Sequence, residues 1–240
     1  MTEWFEQWFG EEYLRLYPHR DEEDAREAVK LVADVVPLAG REVLDLACGP
    51  GRHSTELVRT GAHVVGFDLS ATLLSRARQR LAGQAHLVRG DMRCLPFRSG
   101  SFDVVVNLFT SFGYFADDEQ HLAVLREASY ALRTGGTMVL DYFNAEKVRR
   151  ELVPHEYQVM GPERVHIDRR ISEDGRFVVK DMQLGEGRSF VERVRLLTPS
   201  DLEAMLRRAG LVVRQRFGAY DARPLGPDTP RAIFVAVRSP

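Results

Sequence analysis

Short apolar runs alternate with stretches of helical period through the first 145 residues. The segments "EVLDLAC" (42–48), "HVVGFDL" (63–69), "AHLVRGD" (85–91), "FDVVVNLF" (102–109) and "TMVLDYF" (137–143) read as strands. The fourth is apolar almost throughout, as expected of a strand covered on both faces. Helical patterns fall between them, at 53–59, 71–81 and 118–132, the last closed by Gly135 and Gly136. Strand and helix in alternation predict βαβ units, and therefore an α/β, doubly wound, mainly parallel sheet with helices on both faces.

The pattern then changes. Residues 165–171, 176–184 and 188–197 read as three strands joined by "EDG" and "GEG" turns, an inserted antiparallel β-meander. A helix follows, announced by Thr198, Pro199 and Asp201 as a capping box and stopped by Gly210. "LVVRQRF" and "AIFVAVR" are the last strands, separated by a loop rich in proline and glycine. At the N-terminus Trp4, Phe5, Trp8, Phe9, Tyr13, Leu16 and Tyr17 recur at helical spacing as one aromatic stripe. No linker divides the chain. The expectation is a single domain over 1–240: a helical segment (1–38), a core (40–145), the meander (155–197), and the C-terminal helix with the last strands (198–240).

Composition narrows the function classes. The 240 residues are 44% hydrophobic and 28% charged with a net charge of −2, so no basic field invites nucleic acid or anionic lipid. The N-terminus is acidic where a signal peptide is basic, and no apolar run reaches membrane-spanning length, so no membrane partner is expected. Cys48 and Cys94 are too few for a disulfide framework and read as small core residues of a cytoplasmic protein. The seven histidines are scattered, and His53 and His63 lack ligand spacing, so no metal is expected.

Candidate chemistry gathers at "VLDLACGPGRHS" (43–54), a strand that breaks into glycines before a helix. Gly49 and Gly51 allow close approach of backbone to a ligand, and the helix start offers free N–H groups. A dinucleotide loop would place a third glycine where Ser54 stands. Asp45, just upstream, repels a pyrophosphate but accepts hydrogen bonds from a cationic or amino-bearing cofactor. Asp68 ends the second strand, where an acid accepts hydrogen bonds from ribose hydroxyls. Asp91 ends the third, within reach of an adenine amino group, and Asn107 ends the fourth over the same crevice.

With "VVGFDLS", "GDMRCLPF", "FDVVVNLF" and "LRTGGTMVLDYF" in order behind it, the loop resembles the class I, Rossmann-like S-adenosylmethionine-dependent methyltransferases over roughly residues 40–145. The resemblance implies a seven-stranded sheet whose last strand is antiparallel and lies beside the fifth. It implies that Ala47, Cys48, Gly49 and Gly51 cradle the methionine part and that Asp68 and Leu69 hold the ribose. Asp91 and Met92 would frame the adenine, and Asn107 and Leu108 complete the site below the sulfonium methyl. "YLRLYPHRDEEDAREA" resembles the N-terminal lid of small-molecule N-methyltransferases, including those acting on nucleotide-linked amino sugars. There a tyrosine and an arginine approach the cofactor carboxylate, which points to Tyr13, Tyr17 and Arg20. The plainer reading of the stripe is a helix packed on the body.

"NLFTSFGYF" resembles the same subgroup's segment after the fourth strand, where the position of Tyr114 lines the substrate pocket. Some members carry histidine there. A tyrosine, with an ordinary pKa near 10, is a poorer base and serves better to position the acceptor or to present a π-face to the sulfonium. The expected activity is methyl transfer from S-adenosylmethionine to a nitrogen or oxygen of a small molecule, leaving S-adenosylhomocysteine. Nucleic acid is disfavoured, since Asn107 is followed by "LFT" rather than prolines and Cys94 lacks a Pro-Cys context. A methyltransferase of nucleic acid or protein, a nicotinamide oxidoreductase and a non-catalytic cofactor-binding protein stay open. The meander is expected to cover the substrate or to form a homodimer, the acceptor pocket to be bounded by Tyr114 and Tyr142, and Arg223 and Arg231 to meet an anionic substrate or to be surface residues.

Overall fold

The computed structural model describes residues 3–17 and 22–239. In chain order it contains α1 (Trp4–Trp8), α2 (Glu11–Leu16), α3 (Glu22–Val35), β1 (Glu42–Leu46), α4 (Arg52–Arg59), β2 (His63–Asp68), α5 (Ala71–Leu81) and β3 (His86–Arg89). Then come β4 (Phe102–Asn107), α6 (Asp118–Ala131), β5 (Leu132–Phe143), α7 (Ala145–Glu151) and the strands β6 (His155–Met160), β7 (Glu163–Ile171), β8 (Phe177–Gln183) and β9 (Ser189–Arg195). The chain ends with α8 (Pro199–Arg208), β10 (Leu211–Phe217) and β11 (Arg231–Arg238).

Seven strands form one sheet in the order β10-β11-β5-β4-β1-β2-β3. The pairs β1–β2, β1–β4, β4–β5 and β2–β3 are parallel, whereas β11 runs antiparallel to both β5 and β10. Side chains of a strand alternate between faces, and two cores follow from this. Leu44, Leu46, Val105, Met138, Leu140 and Phe234 pack on one side with α6 and α8, while Val43, Val104, Val106, Val139 and Ile233 pack on the other with α3 and α4. The α8 capping box forms as read: Thr198 Oγ1 accepts from the Asp201 amide, and Asp201 Oδ2 accepts from the Thr198 amide at 2.9 Å. Among the described residues no helix is long and apolar enough to cross a membrane.

The region after β5 departs from expectation. The meander is a four-stranded antiparallel sheet, β6-β7-β8-β9, rather than three strands. Its extra strand, β6 (HEYQVM), is an edge strand exposed for most of its length, and its brief alternation at Tyr157 and Val159 faces solvent rather than a core. β5 also starts earlier, at Leu132, and α7 lies in a stretch read as irregular.

The N-terminal stripe is broken rather than continuous. Gly10 is extended and separates α1 from α2, because the aromatic residues serve different partners. Trp8, Tyr13 and Leu16 form a third core with Leu73 of α5 and with Val165, Ile167 and Met182 on the inner face of the small sheet. Trp8 Nε1 donates to Glu192 Oε1 at 2.7 Å and its ring meets Phe190 at 4.8 Å. Ser70 Oγ donates to the Phe9 carbonyl at 2.6 Å. The N-terminal helices are therefore wedged between the large sheet's helices and the small sheet. Trp8 is the pin. Trp8→Ala is expected to destabilise the protein by roughly 3–5 kcal/mol and Trp8→Phe, which removes mainly the bond to Glu192, by about 1–3 kcal/mol, measured by urea unfolding; equal losses would assign the contribution to the hydrogen bond alone.

Candidate active site

In a doubly wound sheet a crevice opens where the strand order reverses, at the carboxyl ends of the strands. Here that point lies between β1 and β4, and a cavity of about 580 Å³ opens there, within the range of small-ligand sites. The loop after β1 makes its floor. Ala47, Gly49 and Gly51 all have positive φ, at 62°, 55° and 80°. A Cβ on Gly49 would meet only Leu73 Cδ1, at 4.0 Å, so this position faces open space. A Cβ on Gly51 would lie 3.1 Å from Ala77 Cβ, so that glycine serves the packing of the loop on α5 instead. It is not a cavity wall.

The two acids near the loop divide the work differently from expectation. Asp45 is fully buried and accepts a bond from Ser54 Oγ at 2.5 Å; burial pushes its carboxyl up to about 6, against the opposing pull of Ser54. It ties β1 to the first turn of α4 behind the loop and does not line the cavity. Asp68 does line it. Its oxygens accept from the Gly49 and Ser70 amides, each at 2.8 Å, while burial raises its pKa. Leu69, Asp91 and Met92 line the same side. Asp91 is gripped by Arg93, whose Nε lies 3.0 Å from both carboxylate oxygens; burial raises the carboxyl, but this pairing outweighs it and holds the pKa below the usual range.

Asn107 and Leu108 stand beneath the cavity rather than in its wall. Asn107 is completely buried and donates from Nδ2 to the Leu46 carbonyl at 2.9 Å, bracing the ends of β1 and β4. Leu108 belongs to the core on the α3–α4 side. Tyr13 and Cys48 line the cavity, and Cys94 is exposed rather than in the core. Tyr17 turns away, its hydroxyl accepting from Lys180 Nζ at 2.8 Å. Arg20 lies outside the described residues.

A second cavity, of about 560 Å³, adjoins the first and is walled by α7 and the inner face of the small sheet. Phe9, Phe109 and Tyr114 line both. Tyr114 donates from its hydroxyl to the Thr110 carbonyl at 2.8 Å, and its ring lies 5.1 Å from Trp4 and 5.5 Å from Phe9. Tyr142 is not a wall. It is buried, its hydroxyl donates to the Arg195 carbonyl, and burial pushes its pKa well up. Phe143 takes its place in the cavity.

Sequence reasoning missed two features. Phe109 and Thr110 are consecutive left-handed residues, with φ of 60° and 61°. Asp141, buried in β5, holds them: it accepts from the Phe109 amide at 2.8 Å, from Tyr220 at 2.7 Å and from Arg231 Nε at 2.5 Å. Arg231 thus serves Asp141 instead of a ligand, and Arg223 is an exposed partner of Asp221. An acid inside the apolar run "VLDYF" was the available signal. The other feature is His53, a buried cavity wall whose Nε2 has no hydrogen-bond partner among the described residues. Burial, with Arg52 and Arg231 nearby, pushes its pKa down to about 3, so it is neutral at physiological pH.

The methyltransferase-domain family matches residues 43–136. The chain is 30% identical over 204 residues to the cypemycin N-terminal methyltransferase of a Streptomyces species, covering 78% of this chain and 79% of that one. It is 29% identical over 219 residues to the dTDP-3-amino-3,4,6-trideoxy-alpha-D-glucopyranose N,N-dimethyltransferase of Streptomyces venezuelae, covering 84% and 88%. Among solved structures it is similar to S-adenosylmethionine-bound CalS10, an amino pentose methyltransferase from Micromonospora echinaspora, with TM-score 0.67, 25% identity and 91% of each chain covered. The chain belongs to the S-adenosylmethionine-dependent methyltransferases, and S-adenosylmethionine is its cofactor. The site fits that group: an open backbone cradle at Gly49, a carboxylate at Asp68 and an unpartnered imidazole at His53 face one cavity.

His53 also sets an acid sensitivity. Below pH 6.5 the unfolded chain protonates this imidazole, whereas the folded chain does so only near pH 3, so its contribution to stability falls as pH falls through that window. His53→Gln removes this proton uptake. From pH 7 to pH 5 the variant should gain about 2 kcal/mol relative to wild type in urea unfolding; a difference independent of pH would show that His53 is not buried neutral.

Proposed function

We propose that the protein transfers the methyl group of S-adenosylmethionine to an amine nitrogen of a small molecule. One observation carries this reading: the wall between the two cavities is aromatic, with Trp4, Phe9 and Tyr114 in mutual contact. π-faces attract cations, and more strongly in a desolvated site. Amine methylation makes a cationic product, so such a wall favours the charge where it develops. Every carboxylate lining the second cavity is paired: Glu151 with Lys147, Glu156 with Arg169, Glu192 with Lys180. A hydroxyl acceptor needs a base, which paired carboxylates supply poorly; a neutral amine already presents its lone pair.

The cofactor supplies a methyl carbon made electrophilic by its sulfonium. The protein's part is alignment and exclusion of water, which alone removes a large share of a bimolecular barrier. In this reading Ala47, Cys48 and Gly49 cradle the amino-acid part, Asp68 and Leu69 meet the ribose, Asp91 and Met92 border the adenine, and Tyr13 covers the methionine end. Asp45, Gly51, Asn107 and Leu108 position the loop without touching the cofactor. Tyr17 acts through Lys180, and Arg20 is kept as a partner of the cofactor carboxylate. The amine lone pair forms the new C–N bond as the C–S pair returns to sulfur, and the ammonium proton leaves to water. Tyr114 positions the nucleophile. The names of the relatives, which act on amino sugars and a peptide N-terminus, support an amine, and the concave cavity supports a small molecule. A homodimer through the small sheet and a reducing cytoplasmic setting for two free thiols belong to the same proposal.

S-adenosylhomocysteine is expected to raise the melting temperature and NAD to leave it unchanged. Asp68→Ala should weaken S-adenosylhomocysteine by about 1–3 kcal/mol in calorimetry; unchanged affinity would remove Asp68 from the site. Against a panel of small amines and alcohols, methylation detected by mass should be confined to amines, and Trp4→Ala should raise KM for the amine without changing cofactor affinity. Methylation of alcohols alone would overturn the assignment to nitrogen.

A further inference from the structure

The outward face of the small sheet, opposite the acceptor cavity, carries a cluster of a different kind. The β6–β7 ladder pairs His155 with Asp168 and Tyr157 with His166. Alternation along the strands puts all four on one face. His155 Nδ1 lies 2.6 Å from Asp168 Oδ1, and His166 Nε2 lies 3.5 Å from the same oxygen. The three ligand atoms all lie within 4.8 Å of one another. The Tyr157 ring stacks on His166 at 4.7 Å and 24°, which fixes the imidazole plane with Nε2 turned towards Asp168.

We propose that His155, His166 and Asp168 bind a divalent transition-metal ion of the zinc type. Two imidazoles and one carboxylate form a borderline donor set, suited to zinc, nickel or copper and poorly suited to magnesium or calcium. Donors around a tetrahedral zinc at about 2.0–2.1 Å stand roughly 3.3 Å apart. The register already supplies that spacing to within a side-chain adjustment, and His155, with 75% of its side chain exposed, is free to rotate inwards. Water fills the fourth position. The nearest cations on this face are engaged elsewhere: Arg170 pairs with Asp181 on β8, and Arg164 lies 4.5 Å above the Tyr157 ring. Imidazole and carboxylate ligands bind a metal ion in their deprotonated forms, so binding strengthens as pH rises.

The consequence reaches the acceptor cavity. β6 is an edge strand, and Glu156, next to His155, points to the opposite face, where it pairs with Arg169, next to Asp168. That ion pair is part of the cavity wall. An ion on the outer face and the pair on the inner face would clamp the same stretch of ladder, stapling the edge strand that closes the acceptor side.

The test uses the full chain, stripped with chelator and titrated with Zn²⁺ alone at pH 7.5 against a chromophoric competitor. One ion per chain is expected, with affinity at least tenfold weaker in His155→Ala and in His166→Ala, and binding lost at pH 5.5. Both variants should keep the wild-type thermal shift with S-adenosylhomocysteine, which separates a metal defect from misfolding and is independent of the acceptor assignment. No saturable binding, unchanged affinity in both variants, or an effect confined to one histidine would overturn the proposal.

Discussion

The geometry of both cavities depends on one buried carboxylate. Asp141 sits fully buried near the end of β5 and gathers the Phe109 amide, the Tyr220 hydroxyl and the Arg231 guanidinium. Arg231 also reaches Thr110 Oγ1 at 3.0 Å, and the Thr110 amide returns to the Asp141 carbonyl at 3.1 Å. A buried ion pair adds little net stability, because desolvation offsets its attraction. It does fix a conformation. Two consecutive left-handed residues cost about 1–2 kcal/mol each, and this network holds them. The turn sends Phe109 back over the crevice, where with Phe9 and Tyr114 it lines both cavities.

What could be read from sequence is what local physics dictates. β1, β2, β4, α5 and the capping box at Thr198 are specified by apolar runs, helical period and capping residues within a few positions of one another. β6 is less plain: Tyr157 and Val159 alternate with Glu156 and Gln158 but face away from any core, and β7 supplies the partner at Glu163–Ile171. The grouping of His155 and His166 around Asp168 escaped notice for the same reason: the β6–β7 ladder sets His155 opposite Asp168 and Tyr157 opposite His166, and no spacing within one segment shows that. Likewise a single aromatic stripe could not reveal that Trp8 would turn to the small sheet while the Phe9 carbonyl is held by Ser70.

The site residues divide along the same line. Asp68 was legible in place and orientation, since the end of β2 is fixed by the sheet. Asp45, Gly51 and Asn107 were legible as unusual, yet a sequence does not say on which side of the loop a side chain lies. All three turned out to support the loop from behind: Asp45 through Ser54, Gly51 by its closeness to Ala77, Asn107 through the Leu46 carbonyl. Asp141 and Arg231 lie 90 residues apart, and only the antiparallel pairing of β11 with β5 makes them neighbours. Arg231 was noticed alone, as a candidate for an anionic substrate, and its partner was not.

This division has a physical basis. A polar side chain in direct contact with a cofactor must give up water each time the cofactor leaves, whereas one satisfied inside the protein is desolvated once, on folding. Asp68 is satisfied inside the protein, its oxygens holding the Gly49 and Ser70 amides, and it also lines the cavity. Its carboxylate is therefore already oriented, with rotamer freedom spent before any ligand arrives. The aromatic wall follows the same economy. Trp4, Phe9 and Tyr114 are held by one another and by the Tyr114–Thr110 bond, so the aromatic face they present to the second cavity is already ordered. On the proposed reading, a rigid wall on one side would leave acceptor choice to the other boundary of the cavity, the strands of the small sheet. There the residues alternate between ion pairs and valines such as Val178 and Val194, a surface that tolerates polar substituents without requiring a fixed charge.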